Sequence, residues 1–300
     1  MDDDVERARR HTVYSDPGAW RDRWQALPEG AGVAEAAALV RNLVYHYRAD
    51  GIEVPHERRG DIDSRWVARI LALDAGRHPE PLDTPRERAE RVAGCCRDFT
   101  LLTVSALRER GVPARSRVGF AGYLGPGYHY DHVVAEFHDG LRWVRVDAQL
   151  DPSWFAFDTC ALPHDGLEGF ATAAEVWLAL RADEADPRTF GVYPGSPFWG
   201  MPLVFDYVIR DIAHRHGDEL LLWDVWGAMQ GERGVEEAEA VWMDELARLV
   251  VAADAGSAPA RAELDRRYGE DTRLRPGARV LQASPYGLAD IEVELAAIAP

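Results

Sequence analysis

The residues of this sequence best suited to chemistry are a cysteine, a histidine and an aspartate, in that order along the chain. Cys96 lies at the start of an apolar run, with His132 and Asp147 farther on. A glycine and a proline follow the run, which is typical of a helix end, so the spacing predicts a helix over 96–110. Free N–H groups and the dipole of its first turn favour an anion such as a thiolate. A thiol placed there, followed by His and Asp, indicates nucleophilic acyl transfer.

The spacing of the histidine and the aspartate predicts that they meet across a β-hairpin. Asp139-Gly140 is a strong signal for a two-residue turn between alternating runs. That turn pairs His132 directly with Asp147, with Cβ atoms about 4.5–5.5 Å apart. The other face of both strands is apolar and fits a core. The aspartate would then hold one imidazole nitrogen and leave the other for the thiol. One extra loop residue would move the two to opposite faces.

Each of these residues also has a plain structural interpretation. Most free cysteines are small buried apolar residues, and Cys96 fits that description. His132 alone suits an ordinary sheet position, and Asp147 alone suits the end of a strand. The catalytic interpretation depends on all three residues together.

Four motifs in the middle of the chain carry a family resemblance. They are Gly94-Cys95-Cys96-Arg97-Asp98-Phe99, Gly111-Val112-Pro113-Ala114-Arg115, Asp131-His132-Val133-Val134-Ala135-Glu136 and Trp143-Val144-Arg145-Val146-Asp147. Spread over about residues 84–152, they resemble the transglutaminase-like superfamily, whose core is similar to that of papain-type cysteine proteases. A later segment, 219–227, looks like a feature of a poorly characterised bacterial branch and implies no firm substrate.

The resemblance implies a role for each candidate residue. In the family pattern the nucleophile is followed first by a residue of any type, then by Asp or Glu, and then by an aromatic residue. This order fits Cys96 and not Cys95. His132 is then the general base and acid, and Asp147 orients it. The implied enzyme attacks an amide or thioester carbonyl and passes the acyl group to water, as a peptidase or amidase, or to an amine, as a transglutaminase or amide-forming acyltransferase. The alternative from another class is a catalytically inactive binding module on the same fold.

The surrounding elements predict an α+β fold, a nucleophile helix packed on an antiparallel sheet. We expect three zones: a helical N-terminal segment (1–93), the catalytic core (94–160) and a mostly helical C-terminal extension (161–300). The predicted elements used below are helices at 84–92, 172–181, 201–216, 235–253 and 258–268, a strand at 115–120, an aromatic loop at 122–130 and an irregular stretch after residue 276.

Composition limits the classes of partner. The 300 residues carry a net charge of −17, which argues against nucleic acid as a partner. We expect no cofactor and no metal, because the sequence has no Cys-x-x-Cys pair and no phosphate-binding glycine loop with a lysine. No signal peptide or membrane span is visible, and three cysteines make no disulfide framework, so we expect a cytoplasmic protein with reduced thiols. The expected partners are an acyl donor and an amine or water.

Overall fold

The computed structural model describes residues 3–163, 166–231 and 233–298. The chain divides into two compact units. Unit 1 comprises residues 3–116 and Val133–Leu162, and unit 2 comprises Arg117–His132 and Pro163–Ile298. Two of the boundaries between the units, after residue 116 and after residue 132, therefore fall within β-strands.

Unit 1 contains the nucleophile helix and the hairpin. Its elements are α1 (Asp3–Arg7), α2 (Val33–Leu43), β1 (Val44–His46), α3 (Val67–Arg77), β2 (Val92–Gly94), α4 (Cys96–Glu109) and β5 (Trp143–Val146), with the first residues of β3 (Ala114–Ala121) and most of β4 (His129–His138). Strands β1 and β2 pair in parallel, and β4 and β5 pair antiparallel. The predicted helix at 96–110 and the predicted strand at 115–120 are confirmed.

Helix α4 is the centre of unit 1, and it is buried on all sides from Cys96 to Arg108. Its Val104 and Leu107 form a core with Ala114 of β3, Ala135 of β4 and Val146 of β5. A helix buried on antiparallel strands is the α+β arrangement that the apolar pattern predicted. Burying each such aliphatic side chain stabilises the fold by about 1.5–3 kcal/mol.

The predicted register of the hairpin is wrong by two residues. His138 pairs with Trp143 and Ala135 with Val146, so the loop has four residues rather than two. The carboxylate of Asp139 accepts hydrogen bonds from the amides of Leu141 and Arg142 and closes this longer loop. A shift of two leaves every side chain on its predicted face, because the side-chain period is also two.

Unit 2 is built from helices and short strands. Its elements are β6 (Phe170–Thr172), α5 (Ala173–Arg181), β7 (Phe190–Gly191), α6 (Gly200–His216), β8 (Asp224–Val225), α7 (Glu237–Asp254), α8 (Ala258–Glu270), β9 (Arg279–Gln282), β10 (Ile291–Glu294) and α9 (Leu295–Ile298). Within this unit β6 pairs antiparallel with β3, and β7 pairs in parallel with the first residues of β4. Helix α5 packs on α6 and α7, and α7 packs on α8.

The predicted helices of this region are confirmed by α5 to α8, whereas one predicted helix of unit 1 is wrong. The stretch after residue 276 carries β9 and β10, which pair antiparallel. The predicted helix at 84–92 is only a short 3-10 turn at Arg88–Glu90, followed by β2. Within the ranges that the structure covers, no helix is both long and apolar enough to cross a membrane.

Candidate active site

Cys96 is the first residue of α4 and is 4% exposed. Asp98, two residues later, turns back and accepts a hydrogen bond from the Cys95 amide at 2.8 Å. This is the return bond of a capping box, and it fixes the first turn of the helix. Cys96 thus lies in the first turn of the helix, where the positive end of the helix dipole favours an anion.

Gly94 lets strand β2 approach this helix closely. A Cβ at this position would lie 2.8 Å from Asp98 Oδ2 and 2.9 Å from Val44 Cγ1. Arg97 pairs with Asp98 at 2.9 Å in the buried interior. Burial raises the pKa of the Asp98 carboxyl, and Arg97 opposes that shift. The turn before the nucleophile is thus held by packing and by a buried ion pair.

The thiol of the neighbouring Cys95 is less acidic than an ordinary cysteine thiol. A hydrogen bond to Cys96, followed by burial, raises the pKa of the Cys95 thiol well above its usual value. This direction favours the protonated form of Cys95, and a protonated thiol is a poor nucleophile. Of the two adjacent cysteines, Cys96 is the candidate nucleophile.

Asp147 lies in unit 1 directly after β5 and is 1% exposed. Its amide donates to the carbonyl of Thr159 at 2.8 Å, so it has left the hairpin ladder, and its Oδ1 accepts from the amide of Gln149 at 3.1 Å. The backbone register at this position therefore differs from the predicted one, and a contact between Asp147 and His132 stays a prediction. If the observed register ran one step farther, Asp147 would lie opposite Val134, which shares its strand face with His132.

His132 is assigned to unit 2, is 2% exposed, and precedes the first residue of β4 that belongs to unit 1. Its ring contacts the ring of Tyr123 edge-on, with centroids 6.2 Å apart. The preceding residue, Asp131, accepts a hydrogen bond from the Tyr207 hydroxyl of α6 at 2.7 Å. Tyr123, which touches the imidazole, and Asp131, which precedes His132 in the chain, both make their contacts within unit 2.

One hydrogen bond in unit 1 joins the nucleophile helix to the histidine strand. Thr100 of α4 donates its hydroxyl proton to the carbonyl oxygen of Val133 at 2.8 Å. Thr100 is four residues after Cys96 and so lies on the same helix face. Val133 is the residue covalently linked to His132. The three predicted catalytic residues thus fall on elements with a direct connection, and their joint action stays a prediction.

Sequence reasoning missed Thr100 and His46. His46 of β1 pairs with Gly94 of β2, just before the two cysteines. Its Nδ1 accepts hydrogen bonds from the amides of Arg48 and Ala49, so the ring proton lies on Nε2. The run that leads into β1 has helical spacing, so its sequence does not indicate a strand. No sequence motif indicates that a buried threonine such as Thr100 will bind a neighbouring strand.

The described ranges contain no group of three or more His, Cys, Asp or Glu residues arranged to hold a metal ion. The arrangement around Cys96 instead offers a thiol at a helix N-terminus and buried polar partners.

Comparison with known proteins gives one family and one structural likeness. Residues 59–148 match the model of the Transglutaminase-like superfamily, and this stretch includes Cys96, His132 and Asp147. The fold is similar to the crystal structure of a candidate cysteine protease from Cytophaga hutchinsonii, with 17% identity and a TM-score of 0.36, over 57% of this chain and 46% of that one. The chain thus matches less than half the length of that protein. No curated protein matches the sequence.

Proposed function

Because residues 59–148 carry a transglutaminase-like core, we propose that this protein is a cysteine-dependent acyl-transfer enzyme. Cys96 is the nucleophile, His132 is the general base and acid, and Asp147 orients the imidazole. The substrate is an acyl donor with an amide or thioester carbonyl. The acceptor is water or an amine.

The observation that carries this proposal is the hydrogen bond from Thr100 to the Val133 carbonyl. It ties the strand residue next to His132 to the helix face that begins with Cys96. A threonine hydroxyl buried in a helix usually bonds to its own helix, as Thr103 does with the Phe99 carbonyl. Thr100 instead bonds to a carbonyl of β4. This bond supports the proposal that β4 is held in a fixed position beside the nucleophile helix.

The reaction has two steps, acylation and then deacylation of Cys96. After the second step Cys96 and His132 have regained their starting charges. The Cys96 thiolate attacks the carbonyl carbon, a sulfur–carbon bond forms, and the bond to the leaving nitrogen or sulfur breaks as His132 protonates that atom. His132 then removes a proton from water or an amine, which attacks the thioester. The new carbon–oxygen or carbon–nitrogen bond forms and the thiolate leaves. The Cys96 amide at the start of α4 is a donor for the oxyanion.

Acyl-enzyme formation with a simple donor tests this function. The protein is incubated with S-phenyl thioacetate, with and without methylamine, and followed by intact-mass and peptide mass spectrometry. We expect acetylation of Cys96 and turnover to acetate or N-methylacetamide, with at least about a 10³-fold loss in Cys96→Ala, the range expected when a covalent nucleophile is removed. The product identifies the acceptor.

The same experiment separates the enzyme from a binding module on the same fold. A binding module would leave Cys96 unacetylated and give the same product rates for Cys96→Ala as for the unchanged protein. That outcome would contradict the proposed function.

A further inference from the structure

Strand β4 begins with two faces of different character, both within unit 2. One face is covered by the interior of the unit: the ring of His129 stacks on Phe190 at 4.1 Å, and Asp131 binds the Tyr207 hydroxyl at 2.7 Å. Side chains alternate along a strand, so Tyr130 and His132 lie on the other face.

That other face is lined by tyrosines. The ring of Tyr130 meets the ring of Tyr128 edge-on at 5.1 Å, and the ring of His132 meets Tyr123 edge-on at 6.2 Å. We call Tyr123, Tyr128 and Tyr130 the tyrosine face. All three are half-buried, so each retains accessible surface.

Two glycines make room for these rings. A Cβ at Gly125 would lie 3.0 Å from the ring of Tyr130, and a Cβ at Gly191 would lie 2.3 Å from the Tyr128 hydroxyl oxygen. Tyr128 and Tyr130 therefore rest against glycine backbone, which limits their movement. Rings fixed in this way need no reordering when a ligand binds.

We propose that the tyrosine face, beside His132, is a subsite for an uncharged aromatic group on the acyl donor. This inference rests on the proposed function, because it takes His132 as a member of the catalytic set. Tyrosine rings offer edges and faces for T-shaped and stacked contacts with another ring, which stabilise it beyond the burial of its area. Burial, Asp131 and Tyr130 raise the pKa of the Tyr128 hydroxyl, which favours its uncharged form.

The chemical partner follows from these side chains. An anionic acyl group would leave water to meet ring faces that carry negative potential and supply no positive charge. A methyl group would leave most of the ring surface uncovered. An aromatic side chain, such as that of a phenylalanine or tyrosine residue in a peptide donor, covers the rings and makes edge contacts.

The test uses two covalent probes that differ only in this group. N-acetyl-phenylalanine chloromethyl ketone and N-acetyl-alanine chloromethyl ketone are reacted with the full chain, and alkylation of Cys96 is measured by peptide mass spectrometry. Each rate is divided by the rate of the same probe with free glutathione. We expect a Phe-to-Ala ratio of about ten or more, because aromatic contacts act only on the first probe.

Variants of the tyrosine face identify the source of the selectivity. Tyr130→Ala lowers the ratio several-fold, while Tyr130→Phe keeps the ring and keeps the ratio. Leu141→Ala is the matched control, since Leu141 lies in the hairpin loop and is 92% exposed. A thermal melt of each variant confirms that it is folded. If Tyr130→Ala is unfolded, Tyr123→Ala takes its place.

Two contrary results are distinguishable. Equal normalised rates for the two probes would overturn the aromatic subsite and leave the enzyme proposal intact. No reaction of Cys96 with either probe or with iodoacetamide would contradict the proposed function, and the subsite with it.

Discussion

At the scale of single residues, the two adjacent cysteines show how position decides chemistry. Cys95 is the N-cap residue of α4, and its hydrogen bond to Cys96, followed by burial, raises the pKa of its thiol. Cys96 begins the helix, where backbone N–H groups favour an anion. The sequence motif separated these two roles through the position of Asp98, since that residue caps the turn only when the helix starts at Cys96.

A second buried group at this scale makes stability depend on pH. Asp206 of α6 accepts hydrogen bonds from the amides of Gln230 and Gly231, and burial raises the pKa of its carboxyl to about 6. The folded protein therefore binds this proton more tightly than the unfolded chain. The stability that it contributes is present in acid, below the usual pKa of 3.8, and is lost as the pH rises toward 6.

We expect Asp206→Asn to remove this dependence. Between pH 4 and pH 7, the free energy of unfolding of the unchanged protein should fall relative to that of the variant by about 2 kcal/mol, because most of the difference in proton binding lies in this range. Urea unfolding at both pH values measures it. A difference between the two proteins that is independent of pH would show that Asp206 ionises normally in the folded state.

At the scale of elements, helix α4 and strand β4 position the candidate site. The sequence predicted the helix well, because its start and stop signals and its apolar pattern agree. It also predicted the faces of the hairpin, since Ala135 and Val146 reach the core together. It missed the loop length, because Asp139-Gly140 suits a two-residue turn and a four-residue loop alike. It missed β1 and β2, whose short runs fit a helical pattern.

The contact between these two elements predicts a selective effect of mutation. Thr100→Val removes the hydroxyl that binds the Val133 carbonyl and leaves that buried oxygen without its donor, at a cost of about 1–3 kcal/mol. The loosened strand should slow acylation of Cys96 about ten-fold. Thr100→Ser, which keeps the hydroxyl, should restore most of the rate.

Thr103→Val is the control for this change. Thr103 is equally buried in α4, but its hydroxyl binds the carbonyl of Phe99 within the same helix. Acylation rates and urea unfolding are measured for all three variants. An equal loss of acylation rate in Thr103→Val and Thr100→Val would mean that the Thr100 bond has no special relation to the reaction.

At the scale of the whole molecule, the chain passes from one compact unit to the other within β3 and again within β4. His132 and Val133 are consecutive residues of one strand, yet they belong to different units. Composition does not mark this division, because it depends on which residues are neighbours in the folded chain. The family model, in contrast, matches residues 59–148 as one stretch that includes parts of both units.

Charged side chains also form ion pairs in the interior of unit 2. Although the net charge is −17, acidic and basic side chains pair in the interior of unit 2, where Arg117 bonds to Asp211 and Asp254 at 2.8 Å. Removing one member of such a buried set leaves an uncompensated charge, which is strongly destabilising. Composition predicted the excess of acid but not these partners, since the paired residues are far apart in sequence.

The rate of alkylation of Cys96 tests the central claim most directly. Iodoacetamide is added across a range of pH, and the three cysteines are resolved by peptide mass spectrometry. We expect Cys96 to react faster than the other two cysteines near neutral pH, and His132→Ala to slow its reaction at least about ten-fold. Cys160 serves as the internal control, because burial and Asp158 raise the pKa of its thiol. Reaction of Cys96 no faster than Cys160, or unchanged by loss of the imidazole, would contradict the catalytic assignment.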